Sequence, residues 1–242
     1  VKLQGRRILV TGAAHGLGAV LARYLCDEGA QLALADIDTK VGQELARELS
    51  AAFFPVDLRV PDSITELAAR VATPLHGLIN NGAVATGIGG VGFEDVDIDM
   101  WDHVMRVNVR GTWLMTRAVA PALRASGSGR IVNVASDTAL WGAPNLISYV
   151  ASKGAVVSMT RSLARELGPD GVGVTVVAPG ILTTESTEYV SETRHRYYAD
   201  GRAIPGSQEP EDIAPTVAFL LTEEALALTG QLLPVNRGFV FT

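Results

Sequence analysis

The chain has 242 residues, with 20 basic against 26 acidic side chains and a net charge of −6. At about 150 residues per domain, one α/β domain accounts for the length, and such a domain buries about three-quarters of its unfolded surface. The acidic balance excludes the basic face that nucleic acid or an anionic membrane requires; 48% hydrophobic and 19% charged residues exclude general disorder.

Cys26 is the lone cysteine, so no internal disulfide forms, and a reducing, cytoplasmic setting is expected. No apolar run reaches membrane-span length. The first residues, VKLQGRRILV, run into a strand pattern and leave no place for a signal peptide. Strands are expected at 7–11, 31–35, 53–56, 78–80, 130–134, 174–177 and 231–235. Helices are expected at about 17–28, 39–49, 61–71, 100–123 (bent near Gly111), 148–167 and 210–221. The strands are near-continuous apolar runs, the signature of strands buried on both faces. Their alternation with helices predicts a doubly wound, mainly parallel α/β sheet of about seven strands in three layers. Residues 1–242 read as one domain, with a polar substrate insertion at about 181–208.

Thr11-Gly12-Ala13-Ala14-His15-Gly16-Leu17-Gly18 lies between the first strand and the first helix. Gly12 permits the tight turn, Gly16 lets backbone approach a phosphate, and Gly18 lets the helix pack against the strand. The helix N-terminus then offers free N–H groups to a pyrophosphate. Asp36, at the end of the second strand, is placed to accept both adenosine ribose hydroxyls and would repel a 2′-phosphate, which favours NAD over NADP. A turn or capping aspartate is the other reading, since Asp38 and Thr39 adjoin it.

Tyr149 and Lys153 are four apart on a predicted helix and share one face. A tyrosine ordinarily loses its proton near pH 10, and a neighbouring ammonium is expected to bring that down. The chain prefers arginine, and only Lys2, Lys40 and Lys153 are lysines. A compact ammonium at 153 is thus a specific choice, which a planar guanidinium does not replace. Ser136, just past the fifth strand, presents a hydroxyl to the same cleft.

With these residues in place the sequence resembles the short-chain dehydrogenase/reductase family over essentially its whole length. The glycine turn matches the family's TGxxxGxG, and Tyr149-Val150-Ala151-Ser152-Lys153 matches YxxxK. The catalytic serine falls on Ser136, the catalytic asparagine on Asn108, and the PG-x-x-x-T segment on Pro179 to Thr184. Two positions depart from the pattern: NNAG reads Asn80-Asn81-Gly82-Ala83, and the usual C-terminal aspartate with two glycines reads Asn236-Arg237-Gly238. The resemblance implies a Rossmann-type fold and hydride transfer between NAD and a carbon bearing oxygen. By the same likeness Tyr149 is the base, Ser136 orients the substrate oxygen, Lys153 lowers the tyrosine pKa and holds the nicotinamide ribose, and Asn108 anchors a proton-relaying water. Further cofactor contacts are implied at Gly12, His15, Gly16, Leu17, Gly18, Asp36, Ile37, Asp57, Leu58, Asn81, Gly82, Pro179, Gly180, Leu182 and Thr184. A homotetramer is implied, with the 148–167 helix packed between subunits through Ala151, Gly154 and Ala155.

Substrate walls are expected from 84–93, 137–145 and 184–198, with Phe93, Trp141, Tyr189, Tyr197 and Tyr198 among them. These aromatics suggest an apolar, cyclic or aromatic secondary alcohol or its ketone, and core packing is the other reading of each. A cis-dihydrodiol dehydrogenase and a 3-oxoacyl-thioester reductase are alternatives within this class. A nucleotide-sensing binding protein and a methyltransferase on a similar sheet are alternatives outside it. Arg194-His195-Arg196 reads as a solvated helix face rather than a receiver of an acidic group. His76 and His103 have no partner at metal-ligand spacing, and no metal is expected.

Overall fold

The protein is described from a computed structural model, which covers residues 2–242; Val1, part of the expected 1–242 domain, lies outside the described residues. Seven strands form one fully parallel sheet in the order β3-β2-β1-β4-β5-β6-β7. They are β1 (Arg7–Thr11), β2 (Gln31–Asp36), β3 (Ala52–Pro55), β4 (Gly77–Asn80), β5 (Arg130–Val134), β6 (Gly173–Pro179) and β7 (Leu232–Val235). The helices are α1 (Gly16–Asp27), α2 (Thr39–Glu48), α3 (Pro61–Arg70), α4 (Ile98–Met105), α5 (Thr112–Arg124), α6 (Thr138–Trp141), α7 (Ile147–Leu167), α8 (Glu192–Gly201) and α9 (Ala214–Leu220).

Successive side chains of each strand enter opposite layers, as the two-residue period of a pleated strand requires. Ile8 and Val10 pack with α1, α2 and α9, whereas Leu9 between them packs with α3, α5 and α7. The same division separates Leu78 from Ile79 and Ile131 from Val132. Helix starts follow local chemistry. Asp38 accepts from Val41 N at the head of α2 (3.1 Å) and Asp97 from Met100 N at the head of α4 (3.1 Å). Pro61 opens α3, where its missing N–H costs nothing.

The expected helix at 100–123 is three pieces. A widened, π-type turn at Arg106–Gly111 joins α4 to α5 and turns Val107 and Asn108 inward. The expected 210–221 helix is a short 3₁₀ turn, Pro210–Asp212, followed by α9. Helix α6 lies outside the expected elements, whereas α8 falls in the expected loop/helix insertion, where Arg194-His195-Arg196 reads as a helix face. Tyr198 is the one buried side chain of α8, so no apolar stripe marks it in sequence.

A buried polar ladder runs along the α5–α7 face of the sheet. Asn80 Nδ2 donates to Thr116 Oγ1 (3.0 Å) and Asn133 Oδ1 (2.8 Å), and Asn133 Nδ2 donates to Thr160 Oγ1 (2.8 Å). It joins α5, β4, β5 and α7 with each partner satisfied. Asn80→Ala leaves a buried acceptor unpaired and is expected to cost about 1–3 kcal/mol, read as a lower urea midpoint. An unchanged midpoint would show that the ladder does not hold these layers.

Candidate active site

The sheet order reverses between β1 and β4, and the strand tips diverge there. A cleft of about 730 Å³ opens at this point, where doubly wound folds bind ligands.

One end of the cleft is the glycine turn. Gly12 and Gly16 have φ of +63° and +50°, values that disfavour any side chain. A Cβ on Gly12 would lie 2.5 Å from Gly82 Cα. A Cβ on Gly18 would overlap the Gly12 carbonyl, so Gly18 packs α1 against the turn and does not line the cleft. Thr11 Oγ1 donates to Ile79 O (3.2 Å) and accepts from Asn81 N and Gly82 N (each 3.1 Å). Asn81 Nδ2 donates to Gly12 O (2.9 Å). The inverted Gly82-Ala83 pair fits this packing, since a Cβ at Gly82 would press on Leu58 at 3.0 Å. His15 provides no side-chain cap for α1, and the first turn carries no acid. Uncapped N–H groups beside a glycine cradle suit an anionic diphosphate.

Asp36 is buried, with Oδ2 accepting from Ala14 N and Oδ1 from Asp38 N (each 2.9 Å). Its carboxylate lines the cleft while bracing the glycine turn, with exposed Ile37 beside it. His15 Nε2 lies 3.0 Å from Asp38 Oδ2, and this hydrogen bond holds the Asp38 carboxyl below its ordinary range. Asp57 is gripped by Arg59 (Nη2 to Oδ2, 2.6 Å), which lowers its carboxyl likewise. Asp57, Leu58 and Arg59 all line the cleft.

At the other end Ser136, Tyr149 and Lys153 face the same space. Ser136 Oγ accepts from Thr138 Oγ1 (3.0 Å) and Thr138 N (3.3 Å). Lys153 is buried, donates Nζ to Val134 O at 2.8 Å, and stands 5.5 Å from the centre of the Tyr149 ring. The expected lowering of the phenol is not what this geometry gives. Burial pushes Tyr149 well up, with the Ser136 hydrogen bond pulling the other way. Burial also lowers Lys153 to about 8. Withdrawal from water penalises the charged form of both groups.

Asn108 stands apart from the cleft lining. Its Oδ1 accepts from Val84 N (2.8 Å), and its Nδ2 donates to Val84 O (3.1 Å) and Ser152 Oγ (3.1 Å). The side chain therefore pins the segment after β4 to α7. Pro179, Gly180, Leu182 and Thr184 line the cleft, and Thr187 Oγ1 donates to Leu182 O (2.6 Å).

Of the expected substrate aromatics, Tyr189 and Tyr198 line the cleft, and Tyr189 donates to Ala85 O (2.8 Å). Trp141 does not line it. Its indole N–H is committed to Tyr198 Oη (3.0 Å), and its ring packs with Tyr197, Tyr198 and Phe239. Phe93 is 71% exposed and outside the cleft. Arg194, read as part of a solvated face, instead lines the cleft and donates to Pro144 O (3.2 Å). Leu146, Val190 and His103 also line it and lie outside every motif. Among the described residues no three His, Cys, Asp or Glu side chains gather as a metal site, and no helix is long and apolar enough to cross a membrane.

Residues 12–240 match the family model described as enoyl-(acyl carrier protein) reductase. The chain is 34% identical to 2-(S)-hydroxypropyl-CoM dehydrogenase 3 of Xanthobacter autotrophicus, over 98% of this chain and 97% of that one. It is 34% identical to a 3-alpha-(or 20-beta)-hydroxysteroid dehydrogenase of Mycobacterium bovis, over 99% and 91%. A solved short chain dehydrogenase/reductase family protein superposes with a TM-score of 0.90 at 33% identity, covering 98% of both chains. By fold, site and sequence the chain belongs to the short-chain dehydrogenase/reductase family, whose members are nicotinamide-dependent oxidoreductases.

Proposed function

We propose that this protein is an NAD-dependent oxidoreductase that interconverts an apolar, cyclic or aromatic secondary alcohol and its ketone. The observation that carries the reading is the convergence of Ser136, Tyr149 and Lys153 on the cleft that also holds the glycine turn. The glycine cradle, the uncapped head of α1, and Asp36 with Ile37, Asp57 and Leu58 would hold the dinucleotide. Pro179, Gly180, Leu182 and Thr184 would meet its nicotinamide end. Bound there, NAD supplies the hydride acceptor for oxidation and its reduced form the donor for reduction.

The chain's own groups orient the substrate and move a proton. Ser136 Oγ, steadied by Thr138, holds the substrate oxygen. Tyr149 Oη exchanges a proton with that oxygen. The raised phenol suits proton donation to a ketone, and oxidation requires the phenol to be brought down. Lys153 favours that change by its positive charge. Asn108 fixes the Val84 wall through hydrogen bonds to its main chain. Leu146, Val190 and Tyr189 give the substrate end an apolar surface, in keeping with the hydroxysteroid relative. The family model's acyl-carrier description favours a second reading, a 3-oxoacyl-thioester reductase. Reductases of that kind usually prefer NADPH, and the buried carboxylate of Asp36 opposes a 2′-phosphate. The chain is read as one domain working in the cytoplasm, its 181–208 insertion over the substrate.

A panel of secondary alcohols, diols and 3-oxoacyl thioesters with NAD(H) and NADP(H), followed by reduced-cofactor absorbance, tests this reading. The expected result is turnover of an apolar alcohol with kcat/KM for NAD about 100-fold above NADP, since like charges across an interface cost several kcal/mol. Tyr149→Phe should lower kcat by about 100-fold or more while NADH still binds. Wild-type turnover in that variant, or equal use of both cofactors, would overturn the assignment.

The position of Lys153 gives a pH test. Its ammonium is lost as pH rises through about 8, and with it the charge that steadies the phenolate left by proton donation, so ketone reduction should fall across that range. Lys153→Met should lack this limb, and a limb unchanged in the variant would assign it to another group. We also propose a homotetramer packed through α7, where Gly154 faces open space; a monomer by light scattering would refute it.

A further inference from the structure

Asp137 follows Ser136 directly and is fully buried, yet it has no part in the proton exchange proposed above. Its Oδ1 accepts from Tyr198 Oη (2.9 Å), and its Oδ2 accepts from Asn236 Nδ2 (3.3 Å). Its own N–H donates to Pro179 O (2.9 Å). A Cβ on Gly180 would lie 3.1 Å from its Oδ2. One residue thus joins the serine segment to the Pro179-Gly180 segment by its main chain, and to α8 and the segment after β7 by its carboxylate. Tyr198 continues the contact outward, accepting from Trp141 and stacking on Phe239 with ring centres 4.3 Å apart.

We propose that Asp137 is a positioning residue, whose carboxylate holds the 181–208 insertion over the substrate end of the cleft through Tyr198 and Asn236. The inference rests on the oxidoreductase reading only for what the insertion covers. The family's usual C-terminal aspartate falls on Asn236, and here the carboxylate of the pair is on Asp137. Two facing carboxylates would repel, and an amide at position 137 would either meet Asn236 donor to donor or turn and leave the Tyr198 hydroxyl without its acceptor. Asn236 cannot turn to relieve such a clash, because its Oδ1 accepts from Gly238 N (3.1 Å) and Phe239 N (3.3 Å).

The charged and titratable groups around Asp137 are Tyr198 and Arg202 from the insertion and Tyr149 from α7. Arg237 and Asp212 act on Arg202 from farther out. Burial raises the Asp137 carboxyl to about 6, so it is ionised at neutral pH. Its charge is one of the causes, after burial, that push Tyr149 up.

The test is a double-mutant cycle of Asp137→Asn, Asn236→Asp and the exchanged pair. Amide hydrogen exchange of peptide 192–201 is read in each protein without substrate, so the test stands even if the alcohol panel gives no turnover. Asp137→Asn should lower protection of this peptide, and the exchanged pair should recover it. With the best alcohol of the panel, Asp137→Asn should raise KM by about 5-fold or more with kcat changed less than about 2-fold, and the exchange should return KM toward wild type. The acid limb of kcat for oxidation should move to lower pH in Asp137→Asn, which loosening alone would not produce. Unchanged protection and KM in Asp137→Asn, or no recovery in the exchanged pair, would overturn the proposal. Should Asp137→Asn fail to fold, Tyr198→Phe removes only the hydroxyl, and undiminished protection of 192–201 in that variant would overturn it equally.

Discussion

The site depends on a buried ammonium that has given up water for a single main-chain carbonyl. Lys153 donates to Val134 O, the last residue of β5, and so fixes α7 against the tip of the sheet. That bond sets the height of Tyr149 one turn earlier on α7. It also sets its distance from Ser136, which follows β5. Burial raises the phenol and lowers the amine together, so each group is held in the form that carries no charge more readily than it would be in water. A site built this way does not start with a ready phenolate. Its proton balance answers to whatever charge comes close.

The glycine turn shows the same economy of contact. Gly12 approaches Gly82 until it has no room for a side chain, while a Cβ on Gly82 would press on Leu58, and Asn81 and Thr11 take up the polar groups that this leaves. Asp36 is tied to the turn by the N–H of Ala14, and its other oxygen holds the N–H of Asp38 in its own loop. On the proposed reading, the carboxylate that would discriminate at the ribose also braces the glycine turn.

Much of this was legible in the sequence because it is written in short spacings. Apolar runs marked strands buried on both faces, Gly12 to Gly18 marked the turn, and Tyr149 with Lys153 marked one helix face. What was not legible lies in contacts between distant segments. Trp141 reads as a substrate wall, yet its N–H is taken by Tyr198, 57 residues away. Arg194 reads as a solvated charge because α8 has no apolar stripe to orient it. Asn108 reads as a site residue, but its hydrogen bonds to Val84 and Ser152 are fixed by the widened turn between α4 and α5, which no local pattern announces. The phenol shift was misjudged for a related reason: spacing reveals a neighbouring charge but not how much water surrounds it.

The stack of Phe239 on Tyr198 has a consequence for how selectivity is divided along the polypeptide. Tyr198 faces the cleft, and the ring behind it belongs to the segment after β7. The backing of this part of the cleft wall is therefore encoded far from the glycine turn and from the Tyr149–Lys153 pair. An exchange at Phe239 would re-shape that wall through Tyr198 without touching Ser136, Tyr149 or Lys153.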